Sequence, residues 1–101
     1  MVDIIENNMP ETNIGKINVY TCYKCHKDII TIDIDAGVTP FILACRATKG
    51  CDGDMRSHGY DVDQSLKPTH EWYKQRLITA SKAMREYIRK GGLSIREIKR
   101  R

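Results

Sequence analysis

Four cysteines constrain this chain more than any other feature: Cys22, Cys25, Cys45 and Cys51. Cys22 and Cys25 close a Cys-x2-Cys hook, Cys22-Tyr23-Lys24-Cys25. After nineteen intervening residues, Cys45 and Cys51 form a second, wider pair. Two thiolate pairs at such a separation suit a tetrahedral Zn2+ site, because each pair delivers two soft sulfur ligands and the spacer folds back to join them. The expected cofactor is therefore Zn2+, with all four cysteines as its ligands and a structural role. The wide second pair departs from a tight knuckle, which keeps two residues between its sulfurs. Gly50, Ala47 and Thr48 are small enough to let the five intervening residues bow outward. His26 and His58 lie close enough in sequence to replace one cysteine, although the non-ligand role is expected for each. His70 reads as a packing or helix N-terminal residue.

A chain of 101 residues buries only a small core, and small cores depend on staples such as metals or disulfides. The start, Met1-Val2-Asp3-Ile4-Ile5-Glu6, has acids where a signal peptide carries basic residues. No run approaches the roughly twenty apolar residues of a membrane span. A reducing cytoplasm is the expected compartment, and there thiolate ligands are favoured over disulfides.

Charge divides the chain. Residues 1 to 66 hold six basic and ten acidic side chains, net −4; residues 67 to 101 hold eleven and three, net +8. Such asymmetry points to an acidic or phosphate-bearing partner for the C-terminal third.

The pattern predicts an α+β chain: a small zinc-ribbon-like antiparallel β module followed by a C-terminal amphipathic helix. Residues 1–15 read as a flexible N-terminal arm that docks through Ile4, Ile5 and Ile14. The β module spans 16–64. Ile17 and Val19 alternate with polar neighbours in a first strand, and Ile30, Ile32 and Ile34 form the expected buried face of a second, Asp28 to Asp35. Gly37 and Pro40 turn the chain. Phe41 to Ala44 and Met55 to Val62 complete four strands. Residues 65–101 read as a basic amphipathic helix and tail packed on the ribbon. Pro68 suits a first helical turn, and Tyr73, Leu77, Ala80, Met84, Tyr87 and Ile88 recur at steps of three and four. Trp72 adds an anchor. Gly91-Gly92 ends the helix, and Leu93 to Arg101 fits either a short capped helix or an edge strand.

Nothing in the sequence marks an enzyme. Four sulfur ligands close a zinc shell, whereas a catalytic zinc keeps a position open for water. Phosphate-binding glycine loops, nucleophile elbows and the deaminase pattern are absent. An iron site for electron transfer uses the same four sulfurs and stays open as an alternative. The second candidate site is a basic surface for a nucleic-acid or protein partner: Lys74, Lys82, Arg85 and Arg89 along the expected helix, then Lys90, Arg96, Lys99, Arg100 and Arg101. The alternative is a merely solvated face. Aromatic residues interleaved for base stacking are missing.

Tyr20-Thr21-Cys22-Tyr23-Lys24-Cys25, Ala36-Gly37-Val38-Thr39-Pro40-Phe41, Pro68-Thr69-His70-Glu71-Trp72-Tyr73 and Gly91-Gly92-Leu93 resemble, in this order, segments of small zinc-ribbon-like proteins of tailed bacteriophages. The resemblance covers residues 18 to 96. It implies a phage-encoded protein acting in the host cytoplasm, with virion incorporation as an alternative, and cysteine pairs that bind zinc. It brings no activity. The expected function is a non-enzymatic accessory protein docking on a host or phage macromolecule, with nucleic-acid binding or a structural virion role as alternatives.

Overall fold

The computed structural model describes residues 13 to 99. They form a six-stranded mixed sheet: β1 (Ile17–Cys22), β2 (Asp28–Asp33), β3 (Ile42–Ala44), β4 (Asp54–Ser57), β5 (His70–Tyr73) and β6 (Ser94–Glu97). A 3-10 turn, Leu77–Thr79, and one helix, α1 (Lys82–Arg89), lie between β5 and β6. The sheet order is β3-β4-β1-β2-β5-β6. Every neighbouring pair is antiparallel except β2 with β5, which run parallel.

β1 and β2 form where alternation places them, β3 falls within the expected Phe41 to Ala44, and the strand expected at Met55 to Val62 is the shorter β4, Asp54–Ser57. The C-terminal third is different. The continuous helix expected from residue 68 onward is replaced by β5, a turn and an eight-residue helix. His70-Glu71-Trp72-Tyr73 carries aromatic and bulky residues in a strand-compatible alternation, His70 and Trp72 buried and Glu71 and Tyr73 half-buried. Pairing with β2 satisfies its backbone, and that gain overrides a helical repeat resting on Tyr73 and Leu77. Leu93 onward resolves as the edge strand β6.

The helix begins and ends on local chemistry. Ser81 Oγ accepts the Met84 N–H at 3.2 Å, an N-cap. At the other end Gly91 takes φ +93°, the Gly92 N–H reaches Tyr87 O at 2.9 Å and the Gly91 N–H reaches Ile88 O at 2.9 Å, the paired bonds of a Schellman cap. Gly92 then pairs with Val38, and the Leu93 N–H donates to Val38 O at 2.9 Å. Gly37 serves close approach here, not a positive φ: a Cβ on it would sit 2.6 Å from Gly91 O and 2.7 Å from Leu93 Cδ2.

One face of the sheet carries the core of Tyr20, Cys22, Ile29, Met55 and Trp72, closed by Leu93. The buried side of β2 is Ile29, Thr31 and Asp33, opposite in phase to the expected Ile30, Ile32 and Ile34. The register explains the inversion. Tyr20 faces Ile29 and Asn18 faces Thr31, so burying Tyr20 and Cys22 commits their cross-strand partners to the same side. The polar members are bonded: Thr31 Oγ1 donates to Asn18 O at 3.4 Å, and Asp33 Oδ2 accepts from Tyr60 OH and from Asn13 Nδ2. Ile34 is 39% exposed. The expected docking residues Ile4 and Ile5 lie outside the described residues, and Ile14 is half exposed.

Candidate metal centre

β1 ends in the first hook and β3 leads into the second cysteine pair, so the two antiparallel pairings of β4 bring the pairs to one end of the sheet. There the sulfur atoms of Cys22, Cys25, Cys45 and Cys51 all lie within 4.8 Å of one another. Cys22 Sγ is 3.8 Å from Cys51 Sγ, and Cys25 Sγ is 3.7 Å from Cys45 Sγ. Tetrahedral zinc with Zn–S bonds of about 2.3 Å requires sulfur–sulfur edges of about 3.8 Å. These separations are also far beyond a disulfide bond of about 2.05 Å; all four cysteines are free thiols.

Donors surround the sulfurs. The backbone N–H groups of Lys24 and Cys25 both reach Cys22 Sγ at 3.4 Å, the arrangement the Cys-x2-Cys spacing implies. His26 closes the hook with φ +63° and its N–H on Cys22 O. In the wide second pair the corresponding turn follows Cys51: the Gly53 N–H reaches Cys51 Sγ at 3.4 Å. Gly53 is buried, and a Cβ on it would fall 2.5 Å from Lys24 Cβ and 2.8 Å from Cys22 Sγ. Gly53 was not among the candidate site residues; the signal available was its place two residues after Cys51. Thr48, read as a spacer, donates from Oγ1 to Cys25 Sγ at 3.2 Å.

The electrostatics follow. The Thr48 hydroxyl, then the Lys27 backbone, draws the Cys25 thiol down to about 6. For Cys51 the Gly53 N–H acts downward, but burial and the neighbouring sulfurs outweigh it and push the thiol up to about 11. Four sulfurs this close cannot all hold negative charge without a cation among them.

Neither alternative histidine joins the cluster. His58 Nε2 lies 2.7 Å from Thr21 Oγ1. His70 is buried on β5, its Nδ1 2.9 Å from Thr69 Oγ1, so it packs locally as expected, on a strand.

The basic residues do not form one helical ridge, because Lys74 precedes the helix. Lys82, Arg85 and Arg89 are exposed on α1, with Lys90 at its C-cap. Arg85 Nε donates to Leu77 O at 3.2 Å, tying helix to turn. Lys74 and Arg89 meet around a cavity of about 420 Å³ that also takes in Arg76, a residue absent from the expected surface. Arg96 lies on β6, bonded to Glu71 at 2.6 Å and 4.0 Å above the Tyr73 ring. Lys99 is exposed; Arg100 and Arg101 lie outside the described residues.

Fold and site define a small α+β domain with a four-cysteine cluster at one end of its sheet. A scan against protein-family models finds no match for the chain, and searches of curated proteins and of solved structures find none either. No helix among the described residues is long and apolar enough to cross a membrane.

Proposed function

We propose that the four cysteines hold one Zn2+ as a structural staple, and that the protein is a non-enzymatic binding module that presents its basic C-terminal surface to an anionic macromolecule. The observation that carries the metal reading is the pair of sulfur–sulfur separations, 3.8 and 3.7 Å, which match the edges of a ZnS4 tetrahedron. Cys22, Cys25, Cys45 and Cys51 would fill the coordination shell. A closed sulfur shell leaves no position for substrate or water, which favours a structural over a catalytic role. The setting proposed with it, a phage-encoded protein in a bacterial host, rests on the likeness of sequence motifs alone.

Elemental analysis of untagged protein tests the metal reading. One zinc per chain in a colourless protein supports it. An iron-loaded, coloured protein favours the electron-transfer alternative, and metal-free folded protein overturns both.

A further inference from the structure

Three cations from different parts of the chain converge on one concavity. Lys74 and Arg76 come from the segment after β5, and Arg89 comes from the last turn of α1; Leu77 and Ile88 supply its apolar wall. A second concavity of about 520 Å³ shares Lys74 and Arg76 and continues toward Tyr73 and Arg96. Together they form a basic groove from the helix to the β6 edge. Among the described residues, none of Lys74, Arg76 and Arg89 is ion-paired. Asp35, the one acid lining both concavities, accepts the Lys74 backbone N–H at 2.8 Å through Oδ2. Arg96 Cζ stands 4.0 Å over the centroid of the Tyr73 ring, and the residue is exposed to solvent.

We propose that this groove binds single-stranded nucleic acid, with Lys74, Arg76 and Arg89 on backbone phosphates and a base stacked on Arg96. The proposal deepens the reading of the basic surface as the contact surface and rests on it. Charge alone does not separate a single strand from a duplex; shape does. Each concavity is the size of a small-ligand site, which spans about 300–1,000 Å³, and so accommodates one nucleotide. A duplex is a stiff rod with a persistence length of about 50 nm, and only its outer phosphates would touch the rim. Guanidinium planes are stacking platforms for splayed bases; Arg96 provides one, and Leu77 adds apolar contact.

The test is fluorescence anisotropy of zinc-loaded full-length protein with a labelled single-stranded oligonucleotide and a duplex of equal length, at about 50 and 200 mM salt. The expected result is single-strand binding at least tenfold tighter than duplex binding. With three phosphate contacts the salt slope is about −2.1, or a loss of roughly twentyfold over that range. Arg76→Ala and the double variant Lys74→Ala with Arg89→Ala should weaken binding at least tenfold at unchanged zinc content and circular dichroism. Lys49→Ala, on the cysteine loop, should change it less than twofold. Equal or tighter duplex binding, or equal losses from Lys49→Ala and Arg76→Ala, overturns the proposal. Displacement of the strand by a polyglutamate peptide as effective as displacement by unlabelled strand would assign the groove to an acidic protein segment, leaving the broader docking reading in place. Binding of neither strand nor peptide at low salt overturns both, while the zinc reading stands on its own stoichiometry.

Discussion

The rings of Tyr20 and Trp72 meet with centroids 5.9 Å apart and planes tilted by 49°, although their strands, β1 and β5, are separated by β2. This contact joins the cysteine-bearing part of the sheet to its C-terminal part. Trp72 is the single tryptophan and is 2% exposed. Trp72→Ala should cost about 3–5 kcal/mol through lost burial and an unfilled cavity. Chemical denaturation followed by circular dichroism measures it; a loss below about 1 kcal/mol would contradict the packing.

Gly53→Ala places a methyl group against Cys22 Sγ and Lys24 Cβ. Zinc affinity should fall at least tenfold, read by competition with a chromogenic chelator. Gly50→Ala is the matched control: at φ +84° it is strained but meets nothing within 4 Å. It should cost about 1 kcal/mol of stability and keep the metal. Equal losses from both variants would refute the role assigned to Gly53.

Metal removal should unfold the cysteine end of the sheet, because in a small metallodomain the free energy of metal binding is also free energy of folding. In Cys22→Ser or Cys25→Ser, or in protein treated with a strong chelator, amide NMR signals of β1, β3 and β4 should collapse toward random-coil positions. A fully dispersed spectrum from the metal-free Cys22→Ser, Cys25→Ser double variant would contradict the staple.

Asp33 makes stability pH-dependent in an unusual direction. Burial raises its carboxyl above the ordinary range, against the opposing bonds from Tyr60 and Asn13, and Oδ1 has no partner among the described residues. The folded chain therefore binds this proton more tightly than the unfolded chain. The stabilisation is full below about pH 3.9, the ordinary aspartate value, and is lost as pH rises through Asp33's own raised value. The substitution Asp33→Asn keeps an acceptor oxygen for Tyr60 and Asn13 and removes the charge. Denaturation midpoints of the zinc-loaded protein and of this variant should diverge as pH rises across this range, with the variant gaining. A constant difference would show that Asp33 titrates normally.

Arg96→Gln breaks a 2.6 Å bond to Glu71 and the stacking on Tyr73. Both partners are partly solvated, so stability should fall by less than about 1 kcal/mol. The same variant should weaken single-strand binding, a separation of effects that thermal melts and anisotropy together can read.

The cysteine cluster was legible because spacing tells which residues can come together, and β1, which leads into it, follows from alternation. The phase of β2 was not. Ile30, Ile32 and Ile34 are the more apolar set, yet Thr31 and Asp33 go inward, since their cost is offset by bonds to Asn18, Tyr60 and Asn13, residues distant in sequence. The misread helix has the same origin. Tyr73 and Leu77 fit a helical repeat locally, while the partner that makes His70–Tyr73 a strand is β2, some forty residues upstream. Gly91-Gly92 read correctly because a helix cap is a local device. Arg76 escaped notice as a surface residue because an unbroken helix would have turned it away from Lys74 and Arg89.

β3 is a border strand of three residues. Ile42 and Ala44 alternate with the residues whose backbone meets β4, so their own amides and carbonyls point outward, beside an exposed Phe41 and Ile42. Such a border is a template for intermolecular pairing, and its far end is held by the Cys45 N–H on Gly53 O at 2.9 Å, beside the cysteine cluster. On the proposed zinc reading, depleting the ion would free Cys45 and with it this end of the strand. Loss of the proposed metal should therefore show itself in storage as clumping between molecules, and after a purification that strips metal such clumps would pass for a native oligomer.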